Sequence, residues 1–477
     1  MVDAHGGWDV EALALAHRDN ALAREALMVE DLGRVDIEAL SMSIRSRIPS
    51  ELSYALTVLG MLSMPGKGDD KGGLGLGHCG DLLDDLVDLV EDEAFGEDGW
   101  KDWAEKVQAI SPTTRGALDM TENRKTPHKD LLVSAQVEDY SRADANRSHS
   151  SRRVEVVLLV VSLLRNFSLM ADNYTIMTRH ARFVEIMIRV CDPRLTLPIS
   201  PVWSQNEGPA MFKQADHLRI REDVLDVFHG LSSSLNLRVL PLDAVGLMVE
   251  LALSHLKGSQ TDLISDRLFR GPADPLDMPD KAVLALEILT QTSCSDPNRR
   301  VLRQLDADTI VEVFLTCLKY LAFDEQDAKM LLHYPPMLDV QVKLAFCLYN
   351  FAFVASLPAR ARLRDTVGVL SVLSTSIHLL SRATAHPYAV MVRCLSETIG
   401  VLNGPDDLMG ERRQLTFGSG ASVRGLKGWN DAQDVMEQGI LAGYEDRLLV
   451  DFLAVGRAAG QLDKATFEAI SRSVWAL

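Results

Sequence analysis

The sequence predicts an all-α fold, a helical-repeat solenoid with long loop insertions, and three observations carry that expectation. The first is a recurring apolar helix that ends in a polar or small residue. It reads VVLLVVSLLRNFS around Asn166, VLDVFHGLSS around Gly230, LALEILTQTS around Gln291 and LAFCLYNFAFV around Asn350. The second is the spacing of these four markers, 64, 61 and 59 residues, because a near-constant period of this size marks a repeat array. The third is composition. The 477 residues are 47% hydrophobic but only 6% aromatic, with Leu, Val and Ala dominating. Such side chains suit helix-on-helix packing better than a sheet sandwich.

In chain order, residues 8–30 show helical spacing through Leu13, Ala16, Leu22, Ala26 and Val29, and Gly33 ends the pattern. Asp36 is placed to cap a short helix, and Ser50 to cap a second running from Glu51 to about Met64. The glycine-rich stretch 66–80 contains Gly73-Leu74-Gly75-Leu76-Gly77. No strand precedes it and no Gly-Lys-Ser/Thr follows, so it reads as a linker rather than a phosphate cradle. Asp81–Glu93 has Leu82, Leu83, Leu86, Leu89 and Val90 on one face and Asp81, Asp84, Asp85, Asp88 and Asp92 on the other. It lacks the loop glycine and closing glutamate of a calcium site, so the carboxylates read as a solvated helix face. Residues 96–150 are polar, with few large apolar side chains beyond Trp100 and Trp103, and read as a largely disordered insertion ending in an arginine cluster.

The repeat core is expected over 151–403. Each unit pairs the apolar helix with an amphipathic one: 174–191, then 216–233 with 241–257, 280–294 with 298–321, and 338–355 with 359–381. A shorter unit starts at Pro387. Residues 1–95 hold N-terminal helices and a first repeat, 404–430 a glycine-rich loop, and 431–477 capping helices. Neither helix of a unit can bury its surface alone, so stacking of units supplies the stability. The arrangement resembles armadillo/HEAT-like repeats, with a terminal Asn on the inner helix. Longer loops would account for a period above the usual 40–47 or so residues.

The formal net charge is −18, which favours solubility and opposes nucleic-acid binding by the chain as a whole. The six cysteines contain no CxxC pair, and Cys191, Cys317, Cys347 and Cys394 lie in apolar helical stretches, as reduced core thiols do. No metal ligands cluster, and no cofactor fingerprint stands in its required context, so neither metal nor cofactor is expected. His180, His229 and His378 read as structural histidines, and no catalytic residue is assigned. No signal peptide is seen. The longest apolar run, Val156–Leu164, is about half of what a bilayer needs, so a soluble intracellular protein is expected.

Three blocks carry a family resemblance. Met42–Ser63 contains Met42, Ser43, Arg45, Ser46, Glu51, Ala55 and Leu56; Leu163–Ala181 reads LLRNFSLMADNYTIMTRHA; and Tyr444-Glu445-Asp446-Arg447-Leu448-Leu449 lies near the end. In that order they resemble the C-terminal, core-binding region of the ARID-containing, Osa-type subunit of SWI/SNF chromatin remodellers. The short 96–150 insertion matches a fungal-type version. The resemblance implies a non-catalytic, nuclear, armadillo-like scaffold. It would dock the other SWI/SNF core subunits and the remodelling ATPase, and would connect transcription activators to them. The family's ARID lies upstream and has no counterpart here, so direct DNA binding is not implied, nor is contact with a membrane. Arg45, Arg165, Asn166, Tyr349 and Asn350 are the candidate partner-binding residues, and the asparagines serve equally well as structural caps. The competing reading is an armadillo/HEAT adaptor in transport or signalling.

Overall fold

The computed structural model describes residues 35–63, 74–96, 99–110, 149–196, 212–257, 280–322, 335–381 and 386–403, with alternate positions between 327 and 333. The expected helix at 8–30, the loop at 404–430 and the capping helices at 431–477 lie outside these residues. All regular structure among the described residues is helical. The chain is an all-α solenoid.

The helices are α1 Ile37–Ser46, α2 Pro49–Leu62, α3 Gly80–Phe95, α4 Gly99–Ile110, α5 His149–Ser168, α6 Ala171–Arg179, α7 Ala181–Arg189 and α8 Gln214–Leu231. They continue as α9 Leu242–Lys257, α10 Asp280–Cys294, α11 Asp296–Leu302, α12 Ala307–Lys319, α13 Pro335–Val354, α14 Leu357–Asp365, α15 Val369–Leu380 and α16 His386–Asn403. Short 3₁₀ turns include Leu76–His78 and Leu237–Val239. Helices α2, α5, α8, α10, α13 and α16 stack successively as an inner row. Helices α1, α3, α7, α9, α12 and α15 form an outer row. Between each inner helix and the next outer one comes a short element: the turn at 76–78, α6, the turn at 237–239, α11 and α14.

The repeat is therefore a three-helix unit, not the two-helix unit expected from the sequence. Three of the four long amphipathic segments break once, whereas 241–257 stays one helix, α9. At His180 the imidazole Nδ1 accepts the Phe183 N–H at 2.9 Å and caps α7. Asp306 caps α12 by accepting the Asp308 N–H at 3.2 Å. Gly368 adopts φ 93°, a left-handed conformation open to glycine, and starts α15. Apolar periodicity runs through all three breaks, which is why they read as continuous helices. Asp36 caps α1 as expected, with the Glu38 N–H at 3.0 Å. The second helix starts earlier than expected, with Pro49 in its first turn and Ile48 rather than Ser50 at the cap.

The inner helices are apolar almost all round because each lies between two others. Val157, Val160, Val161 and Leu164 of α5 are all fully buried. Helix α13 is long and apolar enough to cross a membrane, yet it packs between α10 and α16 in the stack. Gly230 marks the tightest approach. A β-carbon there would stand 2.9 Å from the Ser168 carbonyl oxygen, so α5 and α8 meet nearly backbone to backbone. Alanine inside a helix normally stabilises relative to glycine by about 1 kcal/mol. Here Gly230→Ala is expected to destabilise by about 1–3 kcal/mol, because a backbone oxygen must be displaced. Urea denaturation of the two proteins measures the sign directly.

Two further sequence expectations change. The 66–80 stretch is not all linker: Leu76 is buried, and the turn at 76–78 is the short element of a repeat. The 96–150 stretch begins with an ordered helix, α4. Its Trp103 is 3% exposed, with its ring 5.2 Å from that of Phe95, and the Arg189 guanidinium covers Trp100 at 3.9 Å. Two tryptophans at i and i+3 give a short helix enough apolar area to dock. The rest of that stretch, from 111 to 148, lies outside the described residues.

Candidate interaction surface

Polar side chains join neighbouring units in three systems. The first is a ladder along the inner row. Asn166 Nδ2 donates to Ser63 Oγ at 3.0 Å, Ser232 Oγ donates to Gln291 Oε1 at 2.5 Å, and Asn350 Nδ2 donates to Ser293 Oγ at 3.1 Å. Each rung joins a marker residue to a serine on the preceding inner helix. Ser168, Ser232 and Ser293 stand two positions after the markers Asn166, Gly230 and Gln291. Gly230 has no side chain to make a rung, and close backbone approach replaces it.

The second system is a set of buried amides that clamp backbone. Asn173 Oδ1 accepts the Leu76 N–H at 2.8 Å, while its Nδ2 donates to the carbonyls of Phe167 at 3.1 Å and Leu74 at 3.4 Å. Asn298 repeats this one unit pair later: it accepts from Leu237 N–H at 2.9 Å and donates to the Leu235 carbonyl at 2.9 Å. Gln341 does the same at the end of α12, with Ala322 N–H and the Tyr320 carbonyl, both at 2.9 Å. All three are buried. Each supplies partners to a donor and an acceptor two residues apart that no helix satisfies.

The third system is ionic. Arg165 lies 2.5 Å from Asp223 and 3.9 Å from Asp226, Lys281 2.6 Å from Asp226, and Lys343 3.1 Å from Glu287. Successive inner helices are thus linked by alternating charge. The acidic face of α3 stays largely exposed to solvent, as expected, with Asp81 83% and Asp84 55% exposed, yet its carboxylates also take ion-pair partners. Arg45 reaches Asp85 at 2.6 Å and Asp81 at 3.4 Å, Arg47 reaches Asp92 at 2.6 Å, and His180 Nε2 lies 2.7 Å from Asp84. Arg182 bridges Asp88 and Glu91. These partners come from α1 and α7, the outer helices on either side, and the arginine just past α1.

The five candidate residues occupy separate places. Arg45 is half-exposed on the outer row of the first unit. Arg165 and Asn166 are partly exposed on α5, and Tyr349 is half-buried on α13, its ring 6.4 Å from Phe353. Burial, with a contribution from Glu397, pushes the Tyr349 hydroxyl up from its ordinary pKa. Asn350 is 2% exposed, and its amide is engaged inside the stack, with Arg299 donating to its Oδ1 at 3.0 Å. Helices α8 and α10 separate the α5 pair from the α13 pair, so no common pocket unites them. The sequence reading missed Asn173, Asn298 and Gln341. The available signal was an Asn early in each short helix, in Asp172-Asn173 and Pro297-Asn298.

The remaining buried polar groups serve the fold. Cys191, Cys317, Cys347 and Cys394 are buried free thiols, as expected. No cluster of three or more metal-ligating side chains occurs among the described residues. His217 is 1% exposed and sits at the end of α7, beside Arg221, whose Nη1 donates to the Cys191 carbonyl at 3.1 Å. Burial, reinforced by the Arg221 charge, pushes its pKa down to about 3. The unfolded chain holds a proton on this group below pH ~6.5 and the folded chain does not. Its contribution is therefore intact above about 6.5 and is lost as pH falls toward 3. Between those limits wild type is expected to lose ~1.4 kcal/mol per pH unit more than His217→Gln, compared by urea denaturation at a series of pH values.

No family model matches the chain. Among known proteins, it is 25% identical over 205 residues to "SWI/SNF chromatin-remodeling complex subunit sol1" of Schizosaccharomyces pombe. That match covers 40% of this chain and 22% of the relative, so the chain corresponds to a minor part of that protein's length. About two fifths of the chain is thus distantly similar in sequence to part of a SWI/SNF remodeller subunit.

Proposed function

We propose that the chain is a non-catalytic scaffold subunit of a SWI/SNF-type ATP-dependent chromatin-remodelling complex, acting in the nucleus in transcription regulation. The observation that carries this reading is the sequence similarity to a SWI/SNF subunit in a chain built as a solenoid. The three-helix unit supports an armadillo-type repeat, since inner, outer and short helices recur in fixed order. Such a stack offers a long, rigid surface rather than a closed pocket, which suits docking of other core subunits and the remodelling ATPase. Of the candidate residues, Arg45, Arg165, Asn166 and Tyr349 retain accessible surface for partners, whereas Asn350 serves the stack.

The test is affinity purification of the tagged full chain from nuclear extract. Recovery of the remodelling ATPase with its core subunits is the expected outcome. Recovery of transport or signalling factors without them would replace this reading with that of an adaptor in another pathway.

A further inference from the structure

The edge of the solenoid formed by the short elements differs from every other surface. Five of the nine large apolar side chains exposed among the described residues border it: Leu169, Val239, Leu242, Leu357 and Val367. Val367 is 93% exposed. Leu169 lies between α5 and α6, Val239 and Leu242 flank the start of α9, and Leu357 and Val367 bracket α14. The same edge carries unbalanced positive charge. Its aspartates Asp296, Asp308 and Asp365 are paired with Arg299, Arg362 and Arg364, and Asp306 caps α12. Arg179, Arg238, Arg300 and Arg303 have no carboxylate partner among the described residues, against two acids without a cationic partner, Asp172 and Asp306. In a chain of net charge −18 this residual sign runs against the average.

From α5 onward the long connections join an outer helix to the following inner helix, at 197–211, 258–279 and 323–334. There the steps into and out of the short elements are only a few residues long, as at Leu169-Met170, Ser295 and Ser356. Exposed features therefore repeat along the edge at the spacing of stacked helices, about 10 Å.

The geometry points to this edge as a docking strip for an extended acidic polypeptide segment bearing aliphatic side chains. Carboxylates of that segment pair with Arg238, Arg300 and Arg303, and its aliphatic side chains cover Val239, Leu357 and Val367. A nucleic acid fits less well. The edge exposes aliphatic rather than aromatic side chains, so bases find nothing to stack on. The assignment rests on the proposed role as a docking subunit and names the chemistry of one partner.

The test uses the full chain and a fluorescein-labelled peptide of repeated Glu-Glu-Leu, about 12 residues long. At about 3.3 Å per residue this spans three to four short elements. Fluorescence anisotropy is expected to show binding that weakens with salt. The triple variant Arg238→Glu, Arg300→Glu, Arg303→Glu should weaken it about tenfold or more. The variant Val239→Ser, Leu357→Ser, Val367→Ser should weaken it several-fold, with far-UV circular dichroism unchanged in both. The control Arg219→Glu, exposed on the inner helix α8, should leave binding unchanged. Absence of binding, equal loss in the control, or equal binding of a Lys-Lys-Leu peptide would overturn the assignment. Tighter, arginine-dependent binding of single-stranded DNA would overturn it in favour of a nucleic-acid strip. Co-purification of the remodelling ATPase with the wild-type chain is scored separately. ATPase recovery without peptide binding sinks the strip and leaves the subunit role standing; peptide binding without ATPase recovery does the reverse.

Discussion

Asn173→Ala is expected to destabilise the protein by about 3–5 kcal/mol. The residue is fully buried, and its amide is the partner of the Leu76 N–H and of the carbonyls of Leu74 and Phe167. Alanine removes all three bonds and strands the Leu76 N–H and the Leu74 carbonyl, while the Phe167 carbonyl keeps the Met170 N–H at 3.2 Å. Each costs about 1–3 kcal/mol to strand, and water entering the space recovers part of that. Asn173→Asp keeps the shape and the acceptor but turns a donor into a buried negative charge facing two carbonyls. It should be at least as damaging, which separates the bonding role from simple packing. Asn298→Ala is expected to fall in the same range but slightly lower, since it loses two bonds. Urea denaturation followed by circular dichroism measures all three. A loss below about 0.5 kcal/mol for Asn173→Ala would show that these amides are not the partners of those backbone groups.

Leu164→Ala is the second large effect, about 2–5 kcal/mol. Leu164 is fully buried on α5, the inner helix that stacks on both α2 and α8. Its removal leaves a cavity at a junction of units rather than inside one, and the rigid helices around it relax only in part. In a stack where each unit touches only its neighbours, this interface should open before the distant ones. Hydrogen exchange should therefore rise first in α5 and α8 and least in α15 and α16. Uniform loss of protection along the chain would argue that the stack melts as one unit.

The sequence made the inner helices legible because mostly apolar stretches of 10–13 residues, each ending near a small or polar residue, recur at a near-constant spacing. It did not show the three-helix unit. The breaks at His180, Asp306 and Gly368 each need only one cap or one left-handed residue, and the apolar spacing continues across them. The ion pairs on the acidic face of α3 were not legible, for a different reason. Its partners Arg45 and Arg182 lie 40 and 94 residues away in the chain, so nothing local announces them. The amide clamps were hidden in the same way: Asn173 and Leu76 are 97 residues apart, and Asn298 and Leu237 are 61. Of the candidate contact residues, Asn166 and Asn350 were conspicuous because they recur. The structure gives that recurrence a cause within the stack, in the bonds to Ser63 and Ser293.

From α5 onward, the placing of long connections at the outer-to-inner step has a consequence for how the chain tolerates change in length. Both ends of each such connection are anchored in helices already held by their neighbours, so added residues alter only the entropy of closing a loop. Each doubling of a loop costs about 0.6 kcal/mol, far less than a broken interface. The short elements have no such freedom, because Asn173 and Asn298 grip the backbone of 74–76 and 235–237 at a fixed two-residue interval. One margin of the molecule can therefore lengthen or shorten between related chains without disturbing the stack, while the opposite margin acts as a ruler that fixes the register of the whole.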